Sequence, residues 1–126
     1  GVTFRRLPDP AGDTATFLGF HLPGGKETKA FQAALKAEGI DAVYFKENFW
    51  HYAPNWEHLI AWSTANSRKF PFTNPLYPEK AEYRRETIPG AEAILDRTLF
   101  LSIPVRMPQE RKETLARGIE RAGKRG

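Results

Sequence analysis

Residues 98–105 read TLFLSIPV, and their alternation decides the fold. Leu99, Leu101, Ile103 and Val105 fall on one side of an extended chain and Thr98, Phe100 and Ser102 on the other, because successive side chains of a strand point to opposite faces. So regular an alternation predicts the central strand of a sheet. Pro104 has no N–H to give to a neighbour, so pairing on that side should stop near it.

Outward from this strand, the sequence predicts a closing helix from about Pro108 to Ala122, with Leu115, Ile119 and Ala122 on its buried stripe. PGAEAILDR, residues 89–97, predicts a short helix opening at Pro89. TATFLGFHL, residues 14–22, predicts a strand with Leu18, Phe20 and Leu22 on one face and Ala15, Phe17 and Gly19 on the other. KETKAFQAALKAEG, residues 26–39, switches to helical spacing with Phe31, Ala34 and Leu35 on one stripe, and Gly39 suits the left-handed position at a helix end.

IDAVYF, residues 40–45, predicts a second short strand, and PNWEHLIAW, residues 54–62, two turns of helix with Trp56, Leu59 and Ile60 to one side. Residues 63–78 carry three prolines and two asparagines and read as an irregular excursion, with a short helix expected over 77–86. The order β-α-β, helical insert, β-α predicts an α+β fold, an α/β two-layer sandwich whose small, mostly antiparallel sheet is covered on one face by the first and last helices. Residues 1–13, rich in Pro, Arg and Gly and without period, read as a linker leading into a domain of residues 14–126. Phe17, Gly19, Phe100 and Tyr44 are expected on the second face. Gly1 reads as a cut end, and a missing domain is expected to cover that face.

The 126 residues fit one domain, and 40% hydrophobic with 27% charged content is globular in character. No apolar run approaches the roughly 20 residues of a membrane span, and no signal-peptide pattern opens the chain, so a soluble, cytoplasmic protein is expected. The absence of cysteine excludes a disulfide scaffold and thiolate zinc sites. Net charge is +4, with the excess cations in the last 21 residues; such a segment can mark a nucleic-acid patch, but the favoured reading is cations in the last turns of a helix that complement its dipole.

Tyr44 to Trp62 holds seven aromatics, including all three tryptophans, and two of the three histidines. Trp and Tyr favour places apolar at one end and wet at the other, such as interfaces and ligand clefts. A metal site built on His21, His51 and His58 is disfavoured, because Pro54 interrupts the spacing and no acidic residue completes a ligand set. With no Cys, no G-x-S-x-G turn and no paired carboxylates in an apolar setting, catalysis within this chain alone is not expected. PGGK, residues 23–26, lacks the glycine spacing of a phosphate loop. Nucleic acid is disfavoured because the aromatics come after a strand in a Pro-rich loop instead of lying in a strand motif.

What remains is a ligand cleft. Tyr44, Asn48, Trp50 and His51 offer a hydroxyl, an amide, an indole and an imidazole beside apolar stacking faces, the mixture that orients a hydroxylated ligand. Arg97 and Arg106, at the two ends of the central strand, are placed to meet a carboxylate. The alternatives are arginines paired with surface acids, and tryptophans buried against another domain.

Three blocks, GDTATFLGFHLP, FQAALKAEGIDAVYF and IPGAEAILDRTLFLSIPVRMPQE, in this order and spacing, resemble the small C-terminal domain of the DegT/DnrJ/StrS sugar aminotransferases, fold type I pyridoxal-phosphate enzymes. The resemblance covers nearly the whole chain. It implies that ENFWHY, residues 47–52, matches a Pro-x-His element that approaches the sugar, so that His51 inherits this role, although Asn48, Phe49 and Trp50 replace the proline. The Asn-x-Trp-His-Tyr run resembles most the branch acting on amino-octulosonate sugars, whose acidic substrate would suit Arg97 or Arg106.

The resemblance further implies that the cofactor and its Schiff-base lysine belong to a larger N-terminal domain, that none of the eight lysines here is catalytic, and that the whole protein is a homodimer. Relatives acting as dehydratases and a stand-alone binding module for RNA or a small ligand are the competing readings.

Overall fold

The computed structural model describes residues 2–76, 82–86 and 88–125. Strand β2 (Phe17–His21) and strand β4 (Thr98–Ser102) pair antiparallel along their whole length, which sets Phe20 beside Leu99 and Leu18 beside Leu101. Strand β3 (Val43–Tyr44) flanks β4 and strand β1 (Thr3–Phe4) flanks β2, both antiparallel, giving the order β1-β2-β4-β3. β4 thus lies inside the sheet, between β2 and β3. Helix α1 (Gly25–Ala37) is the crossover between those two strands.

Alternation sends Phe20, Leu99 and Leu101 to one face, where they bury completely or nearly so beneath Phe31 and Leu35 of α1 and Ala122 of α4 (Gln109–Arg125). Phe31 meets Phe20 edge to face at 5.6 Å. This is the α+β two-layer arrangement, with helices over a small antiparallel sheet. The end of α1 fixes its entry into the core. Gly39 adopts φ +73, its N–H donates to the Lys36 carbonyl, and the Ile40 N–H donates to that of Leu35. These two bonds close the helix and turn Ile40 inward, and only glycine takes this conformation without steric cost.

Pairing ends where Pro104 demands it: the last bond on that side runs from the Ile103 N–H to the Thr16 carbonyl at 2.8 Å. Val105, read on the same side of the chain as Leu99 and Leu101, is consequently 96% exposed. Helix α3 (Pro89–Leu95) begins at its proline as expected.

Several segments differ from expectation. Thr3–Phe4 is an edge strand within the stretch read as linker. The strand expected over 40–45 shrinks to Val43–Tyr44, and its pairing puts Tyr44 beside Leu99 on the core face, where it is buried, while Val43 joins Phe100 on the second face. Two continuous helical turns over 54–62 are replaced by a 3-10 turn at Ala53–Asn55 and the single turn α2 (Glu57–Ile60), broken at Trp56. Of the helix expected over 77–86, residues 82–86 are not helical and 77–81 lie outside the described residues.

Two changes within TLFLSIPV separate burial from alternation. Leu99→Ala, at a fully buried site, should lower the unfolding free energy by about 3 kcal/mol, whereas Val105→Ala should change it by less than about 0.5 kcal/mol. Urea denaturation of both variants checks this, and a large loss at Val105 would contradict the end of β4.

Candidate functional site

The aromatic tract leaves the sheet at Tyr44 through a 3-10 turn at Phe45–Glu47. Beyond that turn a side chain, not a helix, shapes the loop. Asn48 Oδ1 accepts hydrogen bonds from the N–H groups of Trp50 (2.7 Å) and His51 (2.9 Å) and lies 3.1 Å from His51 Nδ1. An Asn side chain standing in for a backbone carbonyl in this way makes a compact turn. The loop is braced from behind: Asn55 Nδ2 donates to the Lys46 carbonyl at 2.8 Å, and the Trp56 indole N–H donates to the Phe49 carbonyl at 2.8 Å. Tyr52 and Pro54 are buried, so the turn is held while Phe49 and Trp50 project, 71% and 83% exposed.

The second face of the sheet supports this ledge. A Cβ on Gly19 would lie 2.8 Å from Phe100 Cε1, so the Phe100 ring occupies the space that the glycine vacates. Phe45 packs edge-on against Phe100 at 4.8 Å, and His51 against Phe45 at 5.3 Å. Three rings therefore rise from the sheet to the exposed imidazole. Edge-to-face pairs of this kind contribute about 0.5–1.5 kcal/mol each beyond their burial.

A polar cluster ties the same loop to the start of β4. The Tyr44 hydroxyl donates to the Asp96 carbonyl at 2.8 Å and lies 3.0 Å from Asp96 Oδ1, while Lys46 forms an ion pair with that carboxylate. Burial, reinforced by the Asp96 carboxylate, pushes the Tyr44 phenol well above its ordinary value. The Lys46 hydrogen bond holds the Asp96 carboxyl below the usual range, with Tyr44 adding to it, and Lys46 is raised in return. Burial, then the charge of Glu92, raises Tyr52. Asp96 is therefore ionised and Lys46 charged at neutral pH, and neither is available as a proton shuttle.

Asn48, Trp50 and His51 stand together on the ledge. Tyr44 does not join them, because its hydroxyl is spent on Asp96. Arg97 is exposed, adjoins Asp96 in the chain, and its side chain has no ion pair or hydrogen bond among the described residues. Arg106 is equally free but lies past the other end of β4, roughly 15 Å or more away at about 3.3 Å per strand residue, so one small ligand does not meet both. Reading the sequence missed Lys46, Asp96, Phe45 and Phe100 as the site's supports.

Among the described residues no group of three or more His, Cys, Asp or Glu could hold a metal ion, and His21 is engaged by Thr98 Oγ1 at 2.8 Å. No described helix is long and apolar enough to cross a membrane. No protein-family model matches the chain. The ledge offers an exposed indole for stacking and an imidazole and amide for hydrogen bonding.

Asn48→Ala should leave global stability within about 1 kcal/mol, since the turn is exposed, yet raise amide hydrogen exchange at Trp50 and His51 at least about tenfold, the cost of losing their shared acceptor. Unchanged exchange would deny Asn48 its organising role. The Asp96 pair gives a pH test. Its folded pKa lies below the unfolded value near 3.9, so its stabilisation is present above that pH and is lost as pH falls through the folded value. Lys46→Met should raise the Asp96 titration midpoint measured by carboxyl carbon shifts, and its destabilisation relative to wild type should shrink below about pH 4.

Proposed function

We propose that this chain is the small domain of a pyridoxal-phosphate sugar aminotransferase, in which the Asn48–His51 ledge and Arg97 orient an acidic ketosugar of the ulosonate type. The observation that carries the reading is the ledge itself: an indole and an imidazole held out from the core by an Asn-organised turn, with an unpaired guanidinium in the neighbouring segment. Sugars are bound by this combination of a flat apolar face and directional polar groups, and Arg97 suits the carboxylate of a sugar acid.

In this reading the His51 ring, positioned by Phe45 and Asn48, contacts a sugar hydroxyl, and Trp50 stacks on the ring and excludes water. The cofactor, when bound, supplies the electron sink for amino transfer. Lys46 does not fit as its anchor. An imine-forming lysine needs a lowered pKa, and Lys46, the lysine fixed beside the site, is raised by Asp96. The cofactor and its lysine are accordingly assigned to a large domain outside residues 1–126, in a homodimeric parent protein. The exposed Phe17 and Val43 on the second face of the sheet supply apolar surface for a seam with such a domain.

Borohydride reduction of the full-length gene product with pyridoxal phosphate, then peptide mass spectrometry, should label a lysine outside residues 1–126. In that protein His51→Ala and Arg97→Ala should each lower kcat/KM for an ulosonate acceptor roughly ten- to a hundredfold, the worth of a charge-assisted hydrogen bond. No labelled lysine, or a labelled protein indifferent to both substitutions, overturns the assignment.

A further inference from the structure

One apolar surface takes no part in the ledge. Past the end of β4, segment 103–107 runs beside the first half of α4 and leaves an open cleft of about 490 Å3. Leu18, Ile103, Met107, Leu115 and Ile119 form its walls, and Arg106 and Lys112 bring charge to it. Leu18 and Ile103 also wall a second groove of about 300 Å3 that includes Leu7 and Phe17. Val105, 96% exposed, stands over the larger cleft. Contiguous exposed apolar surface rimmed by polar groups marks a site of protein contact.

The charges say what kind. Among the described residues no acidic residue lines the larger cleft, and in the smaller one Asp13 is paired with Arg5. Further along α4, Arg117, Arg121 and Lys124 are each matched to a glutamate, through Glu113, Glu38 and Glu120. The side chains of Arg106 and Lys112 have no partner among the described residues. An apolar strip flanked by two unmatched cations complements a segment with an apolar stripe bordered by carboxylates. A helix presents both at once, its apolar residues recurring at i, i+3, i+4 and i+7. We propose that this cleft docks an acidic amphipathic helix of a partner protein. The assignment is independent of the aminotransferase reading, since it uses neither the ledge nor Arg97.

The test uses backbone NMR of the 126-residue chain and a synthetic helical peptide of about 15 residues, with leucines at helical spacing flanked by glutamates. Shifts confined to residues 103–107 and 112–119 are expected. Arg106→Glu combined with Lys112→Glu, both exposed and outside the core, should weaken binding by about tenfold or more. Val105→Ser should weaken it while leaving the spectrum of the free protein otherwise intact. No shifts at the cleft, equal binding of a peptide with lysines in place of the glutamates, or indifference to charge reversal overturns the proposal. Equivalent shifts from octanoate at the same concentration would also overturn it, in favour of a small-acid site.

Discussion

The pairing of β2 with β4 is the constraint on which the rest of the molecule depends. Five residues oppose five, from Phe17 with Ser102 to His21 with Thr98, and the register commits every neighbouring side chain to a face. A slip of one residue would send Phe20 and Leu99 away from the helices and bring Gly19 and Phe100 toward them. Both helices answer to this choice. α1 closes over Phe20 and Leu99 because its glycine stop turns Ile40 back into the core, and α4 covers what remains with Leu115, Ile119 and Ala122. β1 and β3 extend a sheet whose faces are already decided.

The same register creates the candidate site. With Gly19 opposite Phe100, the second face has a gap on β2 and a large ring on β4, and the ring lies over the gap. Phe45, one residue beyond β3, emerges on that side and takes up the exposed edge of Phe100. His51 then rests on Phe45. Site and core are opposite sides of one strand pair, and Tyr44 joins them: its ring belongs to the core, while its hydroxyl fixes Asp96, which holds Lys46 at the base of the loop.

The sequence is legible where its signal is local. TLFLS within TLFLSIPV, the Phe31–Leu35 stripe, the Gly39 stop and the Pro89 start each carry their instruction within a few residues, and each appears as read. Thr3–Phe4 is not legible, because a two-residue edge strand in a segment rich in Arg and Pro has no period to detect. Tyr44 departs from its expected face for a related reason: the face of a two-residue strand is set by its partner's register, not by its own alternation. The exposure of Asn48, Trp50 and His51 accords with their residue types, but their supports are invisible to such reasoning. Lys46 finds Asp96, and Phe45 finds Phe100, across some fifty residues of intervening chain, and no spacing rule connects such positions.

The ion pairs show the same division between what holds the fold and what faces outward. Lys46 with Asp96 and Arg121 with Glu38 join segments far apart in sequence, Arg5 with Asp13 closes a span of eight residues, and each pair includes a partner with restricted exposure. They fix loop positions more than they add stability, since solvent screens most of their attraction. Arg97 and Arg106, immediately before and shortly after β4, are left without partners among the described residues, in a chain that carries 15 acidic residues. An unpaired arginine on a flexible stem costs nothing in water, so its freedom alone carries no function. Its surroundings decide. Arg97 follows Asp96, whose carboxylate holds Lys46 and Tyr44 at the base of the loop. Arg106 stands over an apolar cleft shared with α4, where only an occupant with apolar surface of its own gains by covering the floor. A strand of five residues thus lies between two surfaces of different chemistry.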